Sequence, residues 1–417
     1  MRKKDTNQIY AMKVLKKKDV IQENLLEHTK VEREIMLSVI HPFIITLNFA
    51  FQTENDLHFV LDYIGGGSLL QILNQTKEYC LAEKDAKFYA AEILLGLEAL
   101  HENNIIYRDL KLENILIGAD GHSVLTDFGL SAKLREEQTK VKSFSGTAIY
   151  LAPEILTDEA GHGHGKSVDW WGFGVLLYVL FTGTPPFWSE NQKELFDKIA
   201  KDEFIIDSAF KDSLSDEAKN LLHALLEKDI SKRLGCGAEG TKEVKNHPFF
   251  NDVDWDAVYR KELTPPIVPA FDVAEEAKKL FENEKLNLGK SSKTDRRFKG
   301  FSFVGSQHQL QQLGLSREDS SGSFKSSQPS QISNSGEIRK KNKKLKLGIA
   351  RIKVNDSSII DKKRNSGFLL EAHLKSRPAR EELEDKKVFA LSEEGQKIEE
   401  EQKKKKRKGF FEKKSKK

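Results

Sequence analysis

Cysteine is almost missing from this chain: Cys80 and Cys236 are the two in 417 residues. Two thiols so far apart give no disulfide framework, and such usage fits a reducing compartment. Long apolar runs are missing as well. The longest, Gly172–Gly183, is about 12 residues, well short of the roughly 20 that a helix needs to span a bilayer. It reads as a buried core helix, so no integral membrane segment is expected. The start, Met1-Arg2-Lys3-Lys4-Asp5, is polar and carries no apolar signal region. No internal repeat and no motif specific for nucleic acid is present.

What is present is charge. Charged residues make up 32% against 38% hydrophobic, enough of the latter for a packed core but with long solvated stretches besides. The net charge of +4 hides an asymmetry: residues 306–417 hold 29 Lys+Arg and 16 Asp+Glu, hence +13, which leaves −9 for residues 1–305. An acidic globular body thus carries a basic tail, suited to nucleic acid, anionic lipid or an import receptor. By length the chain holds two to three domains of roughly 150 residues, or one large bilobal domain with a tail.

Gln8–Leu15 alternates like a strand and carries Lys13 mid-run; Leu25–Val39 has helical periodicity and holds Glu32; Leu57–Ile64 reads as a second strand, ending at Gly65-Gly66-Gly67. From there to about Phe250 the pattern is mostly helical, interrupted by the strand-rich stretch Ile115–Thr126. The expected class is α+β, a small sheet-plus-helix lobe joined to a larger helical lobe. Beyond Phe250 the periodicity fades. Pro265-Pro266-Ile267-Val268-Pro269 predicts an extended element, and residues 306–347, rich in Ser, Gln and Lys, predict disorder.

The chemistry lies in one run, Tyr107-Arg108-Asp109-Leu110-Lys111-Leu112-Glu113-Asn114, followed by Asp127-Phe128-Gly129. Phosphoryl transfer from ATP needs a base for the attacking hydroxyl, cations against the phosphates, and fixed geometry. Asp109 can accept the hydroxyl proton and Lys111 can stabilise charge on the transferring group. Asn114 and Asp127 supply hard oxygen ligands of the kind Mg²⁺ prefers. Lys13 can contact the ATP phosphates, held by an ion pair to Glu32. A lone Asp or Asn more often sits in a turn for backbone reasons, but the whole set at this spacing does not arise that way.

These residues resemble the AGC group of protein kinases, and within it look closest to the mitogen- and stress-activated and ribosomal-protein kinase branch. The resemblance covers about residues 1–305. Tyr107 stands where most kinases have His; Ala152-Pro153-Glu154 closes the activation segment; Asp169-Trp170-Trp171-Gly172 matches the helix that anchors the catalytic loop; Phe298-Lys299-Gly300-Phe301-Ser302-Phe303 matches the hydrophobic motif. The resemblance implies a bilobal protein-kinase fold, ATP and Mg²⁺ as cofactors, protein substrates and an upstream activating kinase. It implies that Glu154 pairs with Arg233, that Leu61 is the gatekeeper, and that Asp62–Ile64 (Asp62, Tyr63 and Ile64) is the hinge that binds adenine. Ser143 and Ser302 match the activation-loop and hydrophobic-motif phosphosites. A phosphate on Ser143, carrying about −1.5 to −2 charge, would pair with Arg108. Phe301 and Phe303 would dock beside the Glu32 helix.

The implied layout is 1–64 small lobe, 65–250 large lobe, 251–305 C-terminal tail, 306–366 disordered linker, 367–391 a short binding segment and 392–417 a basic tail. The family's Gly-rich loop precedes the Lys13 strand, yet no Gly occurs among the twelve residues before Lys13. The small lobe is therefore expected to be N-terminally incomplete, with an open sheet edge. Either the sequence is truncated or the chain is kinase-like with little activity. Ser68 stands where the family usually has Glu, which leaves Glu113 and Asp197 as acidic positions for basic substrate residues. His162 and His164, in Gly161-His162-Gly163-His164-Gly165, predict a surface loop rather than a metal site.

Near the C-terminus, Arg377-Pro378 and Glu382-Leu383, with Leu370 and Leu374 upstream, resemble an RPEL motif, which implies monomeric actin as a partner. Pro378 would separate two short amphipathic helices; a marginal charged helix is the alternative. The run Lys403-Lys404-Lys405-Lys406-Arg407-Lys408 is an import signal, a contact for anionic surfaces or a solvated tail. The expected location is cytoplasmic, with a nuclear pool under the import reading.

Overall fold

The computed structural model describes residues 1–304 apart from 2, 4–5, 24, 77, 135–139, 143–144, 159–161 and 270–295. Ser143, the linker 306–366, the segment 367–391 with Leu370, Leu374, Arg377, Pro378, Glu382 and Leu383, and the basic tail 392–417 lie outside the described residues.

The small lobe is a sheet with one long helix. Strand β1 (Tyr10–Lys16) starts two residues later than its sequence pattern suggests, and is followed by helix α1 (Lys17–Gln22), which was not foreseen. Helix α2 (Leu26–Ser38) buries Thr29, Glu32, Ile35 and Met36, a set of positions on one face at helical spacing. Strands β2 (Leu47–Gln52) and β3 (Asp56–Asp62) follow. β3 lies between β1 and β2, with Lys13 opposite Phe59 and Tyr10 opposite Asp62. Alternation along β1 puts Tyr10 and Met12 into a cluster with Met1, Val60, Phe49 and Phe51 and sends Lys13 to the other face. At the outer edge of β1, expected to be open, Met1 and Tyr10 bond backbone to backbone, with Tyr10 N–H donating to the Met1 carbonyl at 2.7 Å.

The large lobe begins at α3 (Leu69–Gln75). Ser68 explains its own presence here. Its hydroxyl accepts from Gln71 N–H and the Gln71 side chain accepts from Ser68 N–H, a reciprocal cap on α3. Helix α4 (Glu83–Glu102) and helix α6 (Ser167–Thr182) form the core, and α6 is buried along nearly its whole length. α6 stops at Gly183, whose φ of +69° is the left-handed turn that glycine adopts without strain. Between these helices lie β4 (Ile105–Ile106), the hairpin β5 (Ile115–Ile117) and β6 (Ser123–Leu125), β7 (Ala132–Lys133), which pairs with β4, and α5 (Pro153–Leu156). No helix among the described residues is long and apolar enough to cross a membrane.

The C-terminal tail returns to the small lobe. Pro265 and the Ile267 carbonyl pack on Gly121, and Pro269 packs on Gly66 beside the hinge. A Cβ on Gly66 would sit 2.5 Å from both the Ile117 carbonyl and Pro269, so this crossing requires glycine. Farther on, β8 (Phe303–Val304) adds to the free edge of β2 and makes the sheet order β1-β3-β2-β8. Phe298 and Phe301 are buried; the Phe301 ring lies 5.1 Å from Phe59, and Arg33 Nε of α2 donates to the Phe301 carbonyl at 2.8 Å. Phe301 docks beside the Glu32 helix as anticipated, with Phe298 rather than Phe303 as the second buried ring; Phe303 is half-buried in β8, and Ser302, between Phe301 and Phe303, is exposed.

His41, on the loop after α2, packs edge-on against Phe43 and Tyr259, and its Nδ1 accepts from Phe43 N–H at 3.3 Å. Burial, aided by the nearby Lys261 charge, pulls its pKa down to about 4. The unfolded chain then binds a proton that the folded chain refuses, so stability is lost as pH falls from about 6.5 toward 4. In His41→Asn, whose side-chain oxygen can accept the same bond, the decline in melting temperature over that window should be shallower than in the wild type.

Candidate active site

The catalytic run folds around one buried carboxylate. Asp169, near the start of α6, accepts from Tyr107 N–H at 2.9 Å and Arg108 N–H at 2.8 Å, and its Oδ2 lies 2.7 Å from His101 Nε2. Those bonds hold the backbone where Arg108 takes a φ of +66°, a left-handed conformation that costs an ordinary residue roughly 1–2 kcal/mol. Asp127 takes a φ of +54°. Strained non-glycine residues at both ends of the site are what a chain retains where geometry serves chemistry.

Asp109 is buried and fully engaged. Lys111 Nζ lies 3.0 Å from its Oδ2, Asn114 Nδ2 donates to the same oxygen at 2.8 Å, and Thr147 Oγ1 donates to Oδ1 at 3.1 Å. Lys111 also donates to Thr147 Oγ1 at 3.0 Å. Asn114 turns its amide nitrogen to Asp109, so its oxygen is the end that could bind a cation. The Asn114 carbonyl accepts from Thr126 N–H at 2.9 Å, which ties it to the strand leading to Asp127.

Lys13 closes the site from the small lobe. Its Nζ lies 2.6 Å from Glu32 Oε1 and 3.0 Å from Asp127 Oδ1, so one ammonium bridges α2 and a carboxylate two residues beyond β6. Burial would lower its pKa, but the charges of Asp127 and Glu32 outweigh it and hold the pKa above the ordinary lysine value. Asp127 is about one-third exposed, at 32%. A partly exposed carboxylate and an amide oxygen, joined through one hairpin, form the hard donor set that suits Mg²⁺, and Lys13 is placed for a phosphate. The residues therefore fit MgATP. Leu61 and Asp62 end β3, with Leu61 opposite Ala11 and Leu47, and Asp62 accepts from Asn48 Nδ2 at 2.7 Å; Ile64 follows, before the Gly66 crossing.

Arg108 is buried, donates through Nε to the Leu130 carbonyl at 2.7 Å, and has its pKa drawn down to about 10 by burial against the opposing pull of Asp169. His164 corrects the surface-loop expectation. It is buried, exchanges backbone bonds with Val141 of the activation segment, and has its pKa lowered by burial and by Arg108. His162 is exposed. Thr147 and His101 were not foreseen as site residues. The signal for Thr147 was a hydroxyl directly after Gly146 in the activation segment; for His101 there was none.

Burial raises the Glu113 carboxyl pKa, and Asp197 is paired with Lys201 at 2.6 Å. Behind the site, Arg233 makes a bidentate pair with Glu154, at 2.7 and 2.9 Å, as anticipated.

The sequence of residues 1–250 matches the family model described as protein kinase domain. The chain belongs to that family. It is 44% identical over 270 residues to the RAC family serine/threonine-protein kinase homolog of Dictyostelium discoideum, covering 64% of this chain and 58% of that protein. It is 43% identical over 308 residues to ribosomal protein S6 kinase 2 beta of Xenopus laevis (72% and 47%), and 45% identical over 274 residues to serine/threonine-protein kinase gad8 of Schizosaccharomyces pombe (66% and 46%). These relatives support the AGC group and stand at nearly equal identity, so they do not select a branch within it. The chain spans about half the length of the curated relatives it matches.

The Arg233 side chain is fully buried and Glu154 is 12% exposed. Removing one partner leaves a buried charge uncompensated, so Glu154→Ala and Arg233→Ala should each cost about 3 kcal/mol or more in denaturant unfolding. The double variant should lose much less than the sum.

Proposed function

We propose that this chain is an AGC-type protein kinase that moves the γ-phosphoryl group of ATP to Ser or Thr hydroxyls of proteins. The observation that carries it is the joint assembly of Lys13–Glu32–Asp127 and Asp109–Lys111–Asn114. Lys13, steadied by Glu32, would hold the phosphates. Asp127 and the Asn114 oxygen would hold Mg²⁺, which when bound neutralises phosphate charge. Asp109 orients the substrate hydroxyl and takes its proton as the new oxygen–phosphorus bond forms; the bond to the bridging oxygen breaks and ADP leaves. Lys111, now shared between Asp109 and Thr147, is placed to follow the charge of the transferring group. Leu61, Asp62 and Ile64 would frame the adenine.

Substrates with basic residues ahead of the target are favoured by Glu113, which is half-buried and close to Asp109, more than by Asp197, which Lys201 already neutralises. Regulation by an upstream kinase at Ser143 and at Ser302 is part of the same reading. Arg108 is the cation for the first site, and the docked Phe298–Phe303 motif exposes the second. The branch nearest the ribosomal-protein kinases and a cytoplasmic location belong to it as well.

The test is autophosphorylation and peptide phosphorylation by the full chain with MgATP, compared with Asp127→Ala. Asp127→Ala should fall at least 100-fold; equal signals would defeat the enzyme reading. A second reading, favoured by the spacing of Leu370, Leu374, Arg377-Pro378 and Glu382-Leu383, is a scaffold that binds monomeric actin. It expects the full chain to bind monomeric actin and Arg377→Ala to bind at least tenfold more weakly; equal binding by the two would overturn it.

A further inference from the structure

A buried acid of the large lobe is left unused by this mechanism. Glu92, at the middle of α4, has its side chain 1% exposed. Its Oε1 is hydrogen-bonded to His122 Nδ1, and its Oε2 accepts from both Ser123 N–H at 2.7 Å and Ser123 Oγ at 2.8 Å. All of these partners sit at the start of β6. Four residues farther along α4, Gly96 receives Leu125: a Cβ there would lie 2.8 Å from Leu125 Cδ1. One helical turn on α4 thus matches one two-residue repeat of β6, with Ser123 fastened to Glu92 and Leu125 seated on Gly96.

That strand runs directly into the site. β6 ends at Leu125, two residues before Asp127, and its partner β5 starts at Ile115, one residue after Asn114. Ile115 stands opposite Leu125, and Thr126 binds the Asn114 carbonyl through both N–H and Oγ1. The two oxygen donors therefore leave the open end of a short hairpin whose other end is gripped by Glu92. A three-residue pair of strands has little room to flex, so a shift at Ser123 is passed to Asp127.

We propose that Glu92 is a positioning residue for the cation site: through Ser123 and His122 it sets where β6 sits on α4, and so how Asp127 stands relative to Asn114. The proposal rests on the kinase reading of those two residues. It makes Glu92 part of the binding of MgADP and MgATP without touching either, in the manner of outer residues that orient metal ligands.

The experiment measures ADP binding to the full chain by calorimetry over a Mg²⁺ series and reads the Mg²⁺ concentration for half-maximal binding. Glu92→Ala should raise that concentration by about tenfold. Glu92→Gln should stay near wild type, because its oxygen accepts from Ser123 and its amide can serve the other tautomer of His122. Gly96→Ala, which pushes on Leu125 from the same face, should shift it in the same direction as Glu92→Ala. Wild-type Mg²⁺ dependence in both alanine variants overturns the proposal, whatever happens to their melting temperatures. So does a Glu92→Gln shift as large as that of Glu92→Ala. If Glu92→Ala does not fold, Gly96→Ala and Ser123→Ala decide by the same criterion. A wild-type chain with no Mg²⁺-dependent ADP binding would instead overturn the kinase reading.

Discussion

One ammonium group joins the parts on which everything else depends. Lys13 belongs to β1, yet its Nζ reaches Glu32 on α2 and Asp127 beyond β6. Three segments distant in sequence are therefore held to a single charge. In a partly buried site the attraction is strong because little water screens it, and the cost of desolvating the ammonium is met by two carboxylates at once. α2 is secured at neighbouring residues too: Arg33 holds the Phe301 carbonyl of the tail and Glu34 holds Lys133 of β7 at 2.7 Å. A rotation of α2 would disturb its contacts with Lys13, the tail and the activation segment together. This is the physical basis on which the helix can report the state of one to the others.

The cluster of Asp109, Lys111 and Asn114 was legible in the sequence because it is local. Asp109, Lys111 and Asn114 fall within six residues, and their spacing is set by one turn of backbone. α2 was legible to within a residue at each end, from its apolar spacing. Strand β2 was not, although Leu47-Asn48-Phe49-Ala50-Phe51-Gln52 alternates. It is short, and its identity comes from its pairing with β3 and with β8, which no local window contains. Of the networks that hold the site, the Asp169 anchor was named by its motif, while its bonds, and the Glu92 network altogether, needed the fold. Asp169 reaches back 61 residues to Arg108, and Glu92 reaches forward 31 to Ser123. Glu92 looks like an ordinary acid on a helix until the fold supplies its partners.

One departure from the family pattern and one overturned expectation find local reasons. Ser68 replaces a usual glutamate and uses its hydroxyl to cap α3, so the position gains a helix start where it loses a charge. His164 was expected on a surface and is instead buried beside Arg108, where the activation segment meets it through Val141. The segment around the activation loop is thus anchored from below by a backbone pair as well as by Glu154 and Arg233.

The strand that completes the small-lobe sheet comes last in the described chain. Phe303 and Val304 pair with Ala50 and Phe49, more than 250 residues earlier. During synthesis the first three strands can pair early, but the edge of β2 stays unpaired until the whole large lobe has emerged. Loop-closure entropy for so distant a pairing grows only slowly with length, so the cost is one of time more than of free energy. The order of assembly follows: the first three strands and then the large lobe emerge, and the distant tail seals the small-lobe sheet afterwards. Until then the edge of β2 is the exposed side of that sheet.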